Sequence, residues 1–429
     1  MKFASATLGC KVNQYETQAV ESLLKERGHS RAEASAADVI IINTCAVTEE
    51  SERKSKQTIR RLKAQNPKAL IAVCGCFSQT APDKLSGMGA DIMFGSADKL
   101  IFVSEIERVF NDPTLRGVHH IDDPAKRGSF ESLPAGAPLG RTRAVLKIQD
   151  GCDNFCSYCI IPFARGRSRS LPFEEAARRA GELSGLGYKE IILTGIEIAS
   201  YGKDLKTGRG LIDLTEAVSK AAPKARIRLG SLEPAVITED FCSRLAGIGS
   251  VCRHFHLSLQ SGCDEILRLM GRKYDTEKFF KSLLLLRKYF PGCAAACDII
   301  VGFPGETEED HLKTMEFIGR CEFAFMHVFP FSARPGTKAA AMNAELPAAI
   351  RKKRAEDVRK AAGEMRDIYL RNRVGETLPV LFEKNAGGVS TGRGDNYCRV
   401  KANGSVRRGV VKNVQISGVS GEMLVGVTV

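Results

Sequence analysis

Three cysteines crowd into nine residues at Gly151-Cys152-Asp153-Asn154-Phe155-Cys156-Ser157-Tyr158-Cys159, spaced C-x3-C-x2-C. So tight a set confines this part of the chain to a short loop wrapped around one centre. Three thiolates suit a cubane iron–sulfur cluster held at three of its irons, with the fourth free for another ligand. Zinc sites usually close with four ligands, and no further Cys or His lies within twenty residues on either side. A disulfide reading needs an oxidising compartment. Structural cysteines scattered through a core have no reason to fall at this spacing beside a glycine.

Upstream, apolar strand patterns at Lys2–Leu8, Asp38–Asn43, Ala69–Val73 and Ala90–Phe94 alternate with helical patterns near Asn13–Arg27 and Glu49–Gln65. That alternation, with fully apolar strands, predicts a doubly wound parallel sheet of the flavodoxin-like kind over residues 1–112. Cys10, Cys45 and the pair Cys74/Cys76 each follow a strand. The carboxyl ends of the strands of such a sheet share one edge, where ligands gather. The three positions are therefore expected to converge as a second three-thiolate site. Cys76, beyond the Gly75 turn, is the expected third member, whereas Cys74 still reads as strand. The competing reading, three separately buried small residues, leaves three equivalent strand ends unexplained. The helix after Cys45 carries Arg53, Lys54, Lys56, Arg60, Arg61 and Lys63, with Lys68 beyond it and no acid between 53 and 68. It reads as part of a phosphate-contacting surface. Residues 113–138, rich in proline and glycine, read as a linker.

From residue 139 to 370 a second series begins. Strands are expected at Ala144–Gln149, Glu190–Thr194, Arg226–Gly230, Phe255–Leu259, Cys297–Val301 and Met326–Pro330, with helices between. Six strand–helix units fit a partial (β/α)6 barrel better than a flat sheet, and the cysteine loop follows the first strand, at the barrel mouth. Arg165, Arg167 and Arg169, at alternate positions beside it, read either as a grip for a polyanion or as an exposed strand edge. The last stretch, 371–429, turns to short strands separated by glycines, with nine Lys/Arg against four Asp/Glu. A small basic β-barrel suits RNA. Its aromatics are Tyr397 and Phe382, so phosphate contact is expected to outweigh base stacking.

Charge and cysteine usage bear on the partners and the compartment. The 429 residues hold 63 Lys+Arg against 50 Asp+Glu, a net +13 that favours polyanions. Fourteen cysteines without a signal-peptide pattern at the N-terminus read as metal chemistry in a cytoplasmic protein. No apolar run is long enough to span a bilayer, so no membrane partner is expected.

The cysteine loop, with an aromatic before its last Cys, resembles the signature of radical S-adenosylmethionine enzymes. The strings Lys147–Cys152, Pro162–Gly166, Leu8–Asn13, Asn43-Thr44-Cys45, Cys74-Gly75-Cys76 and Ile300–Thr307 resemble the methylthiotransferase branch along the whole chain. Leu8-Gly9-Cys10-Lys11-Val12-Asn13-Gln14-Tyr15-Glu16 is similar to the subfamily acting on N6-threonylcarbamoyladenosine (t6A) in tRNA. The resemblance implies two [4Fe–4S] clusters, on Cys152/Cys156/Cys159 and on Cys10/Cys45/Cys76. It also implies two equivalents of S-adenosylmethionine, one the radical source and one the methyl donor. Tyr158, Thr194, Glu233, Asp298 and the Val301-Gly302-Phe303 loop are the expected cosubstrate pocket, and the tail is expected to be a TRAM module. The implied reaction is methylthiolation of C2 of the modified adenosine at position 37, next to the anticodon. The 5′-deoxyadenosyl radical activates C2 and the N-terminal cluster delivers an already methylated sulfur. The implied partners are the t6A-bearing tRNA and an electron donor such as flavodoxin or ferredoxin, with the protein a monomer. The rival readings are a methylthiotransferase for isopentenyladenosine tRNA or a ribosomal protein, and a non-catalytic iron–sulfur RNA-binding protein.

Overall fold

The computed structural model describes residues 1–134 and 142–429. The boundary expected at 138/139 therefore lies outside the described residues. The first domain is a six-stranded, all-parallel sheet. Its elements run β1 (Lys2–Thr7), α1 (Lys11–Glu26), β2 (Ser30–Arg31), β3 (Val39–Thr44), α2 (Glu49–Gln65), β4 (Leu70–Gly75), α3 (Cys76–Thr80), β5 (Ile92–Phe94), α4 (Lys99–Asn111) and β6 (Val118–His120). The spatial order β2-β1-β3-β4-β5-β6 reverses direction between β1 and β3, the point at which open α/β sheets build ligand sites. Alternating strand residues divide the core. One face packs Phe3, Ile41 and Cys74 against Leu24 of α1 and Phe102 of α4. The other packs Ile40, Ile42 and Val73 against Ile59 of α2 and Phe77 of α3.

Part of the expected linker is structured. Val118–His120 pairs in parallel with β5 and closes the sheet edge. Three residues flanked by Pro113 and Gly117 carry too little pattern to read as a strand. Downstream, Leu133 is fully buried against Tyr15.

The second domain contains β7 (Arg143–Lys147), β8 (Gln149–Asp150), α5 (Ile161–Arg165), β9 (Arg169–Ser170), α6 (Phe173–Gly185), β10 (Glu190–Thr194), α7 (Leu211–Ala221), β11 (Arg226–Leu229), β12 (Ser231–Leu232), α8 (Glu239–Ala246), β13 (His254–Gln260), α9 (Asp264–Leu269), α10 (Thr276–Tyr289), β14 (Ala294–Val301), α11 (Glu308–Cys321), β15 (Phe325–Pro330) and α12 (Ala348–Arg371). The sheet runs β7-β10-β11, then β12-β13-β14-β15, parallel throughout, and an isolated Ile227–Val251 bridge ties β11 to the segment just before β13. This is the partial barrel, six long strands with edges at β7 and β15. Period-2 alternation sends Ala144, Leu146, Ile191, Leu193, Phe255 and Leu257 outward to the helices. Val145 and Ile192 face the other way, onto Tyr15 and Ala19 of α1. The first domain thus lays a helix across the lumen side of β7 and β10.

The tail is a closed barrel of β16 (Thr377–Ala386), β17 (Val389–Gly394), β18 (Arg399–Asn403), β19 (Val411–Ser420) and β20 (Met423–Thr428). Strand β17 escapes sequence reading because two of its six residues are glycine. The loop after it packs against the amino ends of the long barrel's strands. Arg228 donates to the Asp395 carbonyl at 2.9 Å and to Glu190 at 2.8 Å, and the Tyr397 ring lies 4.8 Å from that of His254.

Candidate metal centre and its surroundings

The Cys152–Cys159 loop leaves β8 through Gly151, whose φ of +70° suits glycine and where a Cβ would collide with the Arg167 carbonyl. The Cys152 N–H donates to the Gly166 carbonyl at 3.0 Å, and Ser157 is tied to Met270 and Leu269 at 2.9 and 2.8 Å. All three sulfurs are free of disulfide bonds, and burial pushes the Cys152 and Cys159 thiols up to about 12. Cys152 and Cys159 are therefore held as thiols, and a metal that binds them must displace their protons. A donor set made of sulfur alone, three atoms on one short loop, fits an iron–sulfur cluster.

Arg272, which no spacing in the sequence flags, stands beside this loop. It donates to Cys156 Sγ at 3.1 Å, to Glu233 at 2.6 Å and to the Tyr274 hydroxyl at 2.9 Å. Asn154 donates to the same Glu233 oxygen at 3.1 Å. Glu233 is thereby drawn to the cysteine loop. Tyr158 packs with Phe303 in an apolar cluster with Met270 and Phe331, and burial raises its hydroxyl pKa well above the ordinary value. Thr194 ends β10 and is buried, its Cα close to Gly230, just past the end of β11. Val301 ends β14, and the Gly302 N–H donates to Glu306, itself held by Arg354 of α12 at 2.6 Å. Asp298 sits apart from these, three residues before the end of β14. There it pairs with His256 at 3.1 Å and His327 at 3.4 Å. Burial alone would raise the Asp298 carboxyl, yet the two imidazoles hold it well below the usual carboxylate range. Of the expected pocket residues, Tyr158, Phe303 and Glu233 gather at the loop, while Asp298 occupies the lumen beneath.

In the first domain Cys10, Cys45 and Cys76 follow β1, β3 and β4, three adjacent strands. At Gly9, φ +95°, a Cβ would stand 2.9 Å from Cys45 Sγ, so the glycine keeps the space between Cys10 and Cys45 open. Cys76 begins α3, and burial pushes its thiol up to about 12 against the opposing pull of Arg165. Cys74 points to the opposite face, into the core beside Phe102.

The two cysteine sets meet through buried charge. Arg165, inaccessible to solvent, donates to Cys76 Sγ at 3.3 Å, to Glu16 at 2.8 Å, to Asp150 at 3.0 Å and to Asn13 at 2.8 Å. Lys147, equally buried, pairs with Glu16 at 3.0 Å and Asp150 at 2.6 Å. Burial acts to raise both carboxyls, but Arg165 and Lys147 together depress them. Gly166, the residue after Arg165, accepts from Cys152, so one dipeptide touches both sets. The three arginines expected to act alike do not. Arg165 is buried in this network, Arg169 bonds the carbonyls of Arg167 and Arg165, and Arg167 alone faces solvent. Lys147 and Asp150, just past the apolar run Ala144–Leu146, and Glu16 on α1 were the available signal for the network.

Comparison with known proteins follows the same division of the chain. Residues 146–318 match the Radical SAM superfamily model, and residues 2–95 match the model described as Uncharacterized protein family UPF0004. The chain is 39% identical over 407 residues to the threonylcarbamoyladenosine tRNA methylthiotransferase MtaB of Bacillus subtilis, covering 93% of this chain and 90% of that one. The MtaB of Thermotoga maritima is 34% identical, covering 97% and 94%. A tRNA-2-methylthio-N(6)-dimethylallyladenosine synthase of Staphylococcus haemolyticus is 35% identical, covering 89% and 75%. Among solved structures, the radical S-adenosylmethionine methyltransferase TsrM of Kitasatospora setae superposes with a TM-score of 0.56 at 14% identity, covering 79% of this chain and 76% of that one. At that identity the likeness is one of fold.

Proposed function

This chain belongs to the tRNA methylthiotransferases of the radical S-adenosylmethionine superfamily, and we propose that it methylthiolates C2 of t6A at position 37 of tRNA, next to the anticodon. One observation carries the reading. Two three-cysteine sets from different domains are tied to one buried dipeptide, Arg165 donating to Cys76 and the Gly166 carbonyl accepting from Cys152, an arrangement suited to bringing a sulfur source and a radical source to one substrate. Relatives from several bacteria named for threonylcarbamoyladenosine support the choice of base.

In this reading Cys152, Cys156 and Cys159 hold one [4Fe–4S] cluster and Cys10, Cys45 and Cys76 a second. With both clusters and S-adenosylmethionine bound, reductive cleavage of the cosubstrate supplies the radical, and the N-terminal site supplies the methylated sulfur. The chain's own groups hold and orient. Arg272 presents its guanidinium to Cys156 and fixes Glu233 at the rim. Tyr158 and Phe303 form an apolar wall beside it, with Thr194 at the end of β10 and Val301 at the end of β14. Gly302 stays clamped by Glu306. Asp298, His256 and His327 line the lumen below. The helix α2 cations and the basic tail meet the tRNA backbone. Among the described residues no helix is long and apolar enough to cross a membrane, and we place the protein in the cytoplasm as a monomer served by a flavodoxin- or ferredoxin-like donor.

A second reading, dimethylallyladenosine tRNA, is favoured by the relatives at 34–35% identity named for that base. Mass spectrometry of nucleosides separates the two. Reduced protein with S-adenosylmethionine should add one methylthio group to t6A in tRNA. Product only on the isopentenylated nucleoside would sink the substrate assignment. Iron and sulfide each near about eight per chain are expected for two cubanes.

A further inference from the structure

We propose that Phe155, Phe163 and Arg167 form a stacking platform at the rim of the Cys152–Cys159 loop, where unpaired bases of the RNA substrate lie. The platform presupposes the RNA substrate proposed above and says where its bases are held.

Scattered apolar side chains on a surface need no explanation, but this pair is organised. Phe155 and Phe163 are 39% and 49% exposed, with ring centroids 5.9 Å apart and planes at 86°. The Arg167 guanidinium lies 4.7 Å over the Phe155 ring. Its side chain is 62% exposed and pairs with Asp153 at 3.4 Å, its one ion pair among the described residues. Phe155 also adopts φ +47°, an unfavourable backbone region for a bulky side chain and one that clusters at functional sites. Glycine or asparagine would meet that turn more easily. Instead a large ring occupies it, between Cys152 and Cys156, and stays half in solvent.

Flat aromatic faces beside a guanidinium suit single-stranded nucleic acid. Every base has a π-face to stack, and arginine takes the neighbouring phosphate or stacks in turn. A protein partner would ask for a broader apolar groove than two rings bordered by Arg167 and Asp153. The tail does not compete for this role. Phe382 is fully buried, and Tyr397 is enclosed by Arg393, Arg228 and His254, with centroid distances of 4.3, 4.9 and 4.8 Å. Base contact, expected to be limited in the tail, has its surface at the cysteine loop.

The test uses the full-length, cluster-reconstituted protein and a fluorescent anticodon stem-loop carrying t6A. Phe163→Ser should weaken binding about tenfold, in keeping with base–aromatic stacking. Phe163→Trp should restore it, and the salt dependence of binding should not change, because no phosphate contact is removed. Iron content of each variant reports the fold. If the serine variant loses iron, Phe163→Leu, which keeps bulk without a π-face, decides. Equal affinity of wild type, Phe163→Leu and Phe155→Leu overturns the platform. Wild-type binding to an isopentenyladenosine loop but not to the t6A loop overturns the substrate reading alone, and the variants are then compared on the loop that binds. Failure to bind any RNA overturns both.

Discussion

Arg165 spends its whole hydrogen-bonding fork where water does not reach, on Cys76, Glu16, Asp150 and Asn13. Removing one partner from a buried charge network leaves the others uncompensated, at a cost of about 3–5 kcal/mol. Arg165→Gln should lower the unfolding free energy by that amount in a denaturant titration. Arg167→Gln, two residues on and solvent-facing, should stay within about 0.5 kcal/mol of wild type. The alternation of these arginines is plain in the sequence. Their different fates are not, because burial depends on Glu16, which arrives from another domain 149 residues away. A second residue-scale expectation concerns the lumen. The hydrogen bond that the His327 ring donates to the Asp298 carboxylate raises the His327 pKa, so the pair's stabilisation is fully present below the ordinary histidine pKa of about 6.5. It is lost as pH rises through the raised value. Following the His327 ring by NMR, Asp298→Asn should bring the midpoint down towards the ordinary value, whereas an unmoved midpoint would show that the contact is not formed in solution.

At the scale of elements, the strand ends were the readable part. The runs Val39–Ile42 and Leu70–Val73 are apolar on both faces, so they have no plausible fate but a central parallel strand, and the cysteines beyond them fall on one edge. The turn at Gly75, φ +110°, then separates Cys74 from Cys76. The first faces Phe102 with the core, and the second opens α3 beside Arg165. Cys76→Ala should abolish the N-terminal cluster, while Cys74→Ala leaves it assembled. Iron analysis on a background lacking Cys152, Cys156 and Cys159 isolates that site, and the opposite pattern would exchange the two assignments. What stayed hidden was short or glycine-rich. β6 has three residues, and β17 spends two of six positions on glycine; each is a strand only because a neighbour offers an unpaired edge. Arg272 was hidden for a different reason. It lies in a loop after α9, and only the folded chain carries that loop to Cys156.

Across the whole molecule, the long barrel is closed by its neighbours. Helix α1 lies on the lumen side of β7 and β10, and the tail's Asp395–Tyr397 loop plugs the opposite end. The tail therefore has two separable duties, and two kinds of variant should part them. Tyr397 contacts His254 and three arginines inside the assembly. Tyr397→Ala, which removes a half-buried ring, should cost stability on the order of 2 kcal/mol, with little change in how RNA affinity depends on salt. Arg407 and Lys412 are exposed on the tail's outer surface and form no ion pair among the described residues. If they touch phosphates, Arg407→Ala and Lys412→Ala should leave the melting temperature in place. Each should weaken binding to all RNA sequences alike and reduce the slope of log affinity against log salt by about 0.7–1. Measuring both slopes beside the Phe163 variants distributes the +13 charge between a backbone-tracking tail and a base-stacking rim. A slope unchanged in every tail variant would instead assign the phosphate contacts to the cations of α2, where Arg60 and Arg61 stand exposed.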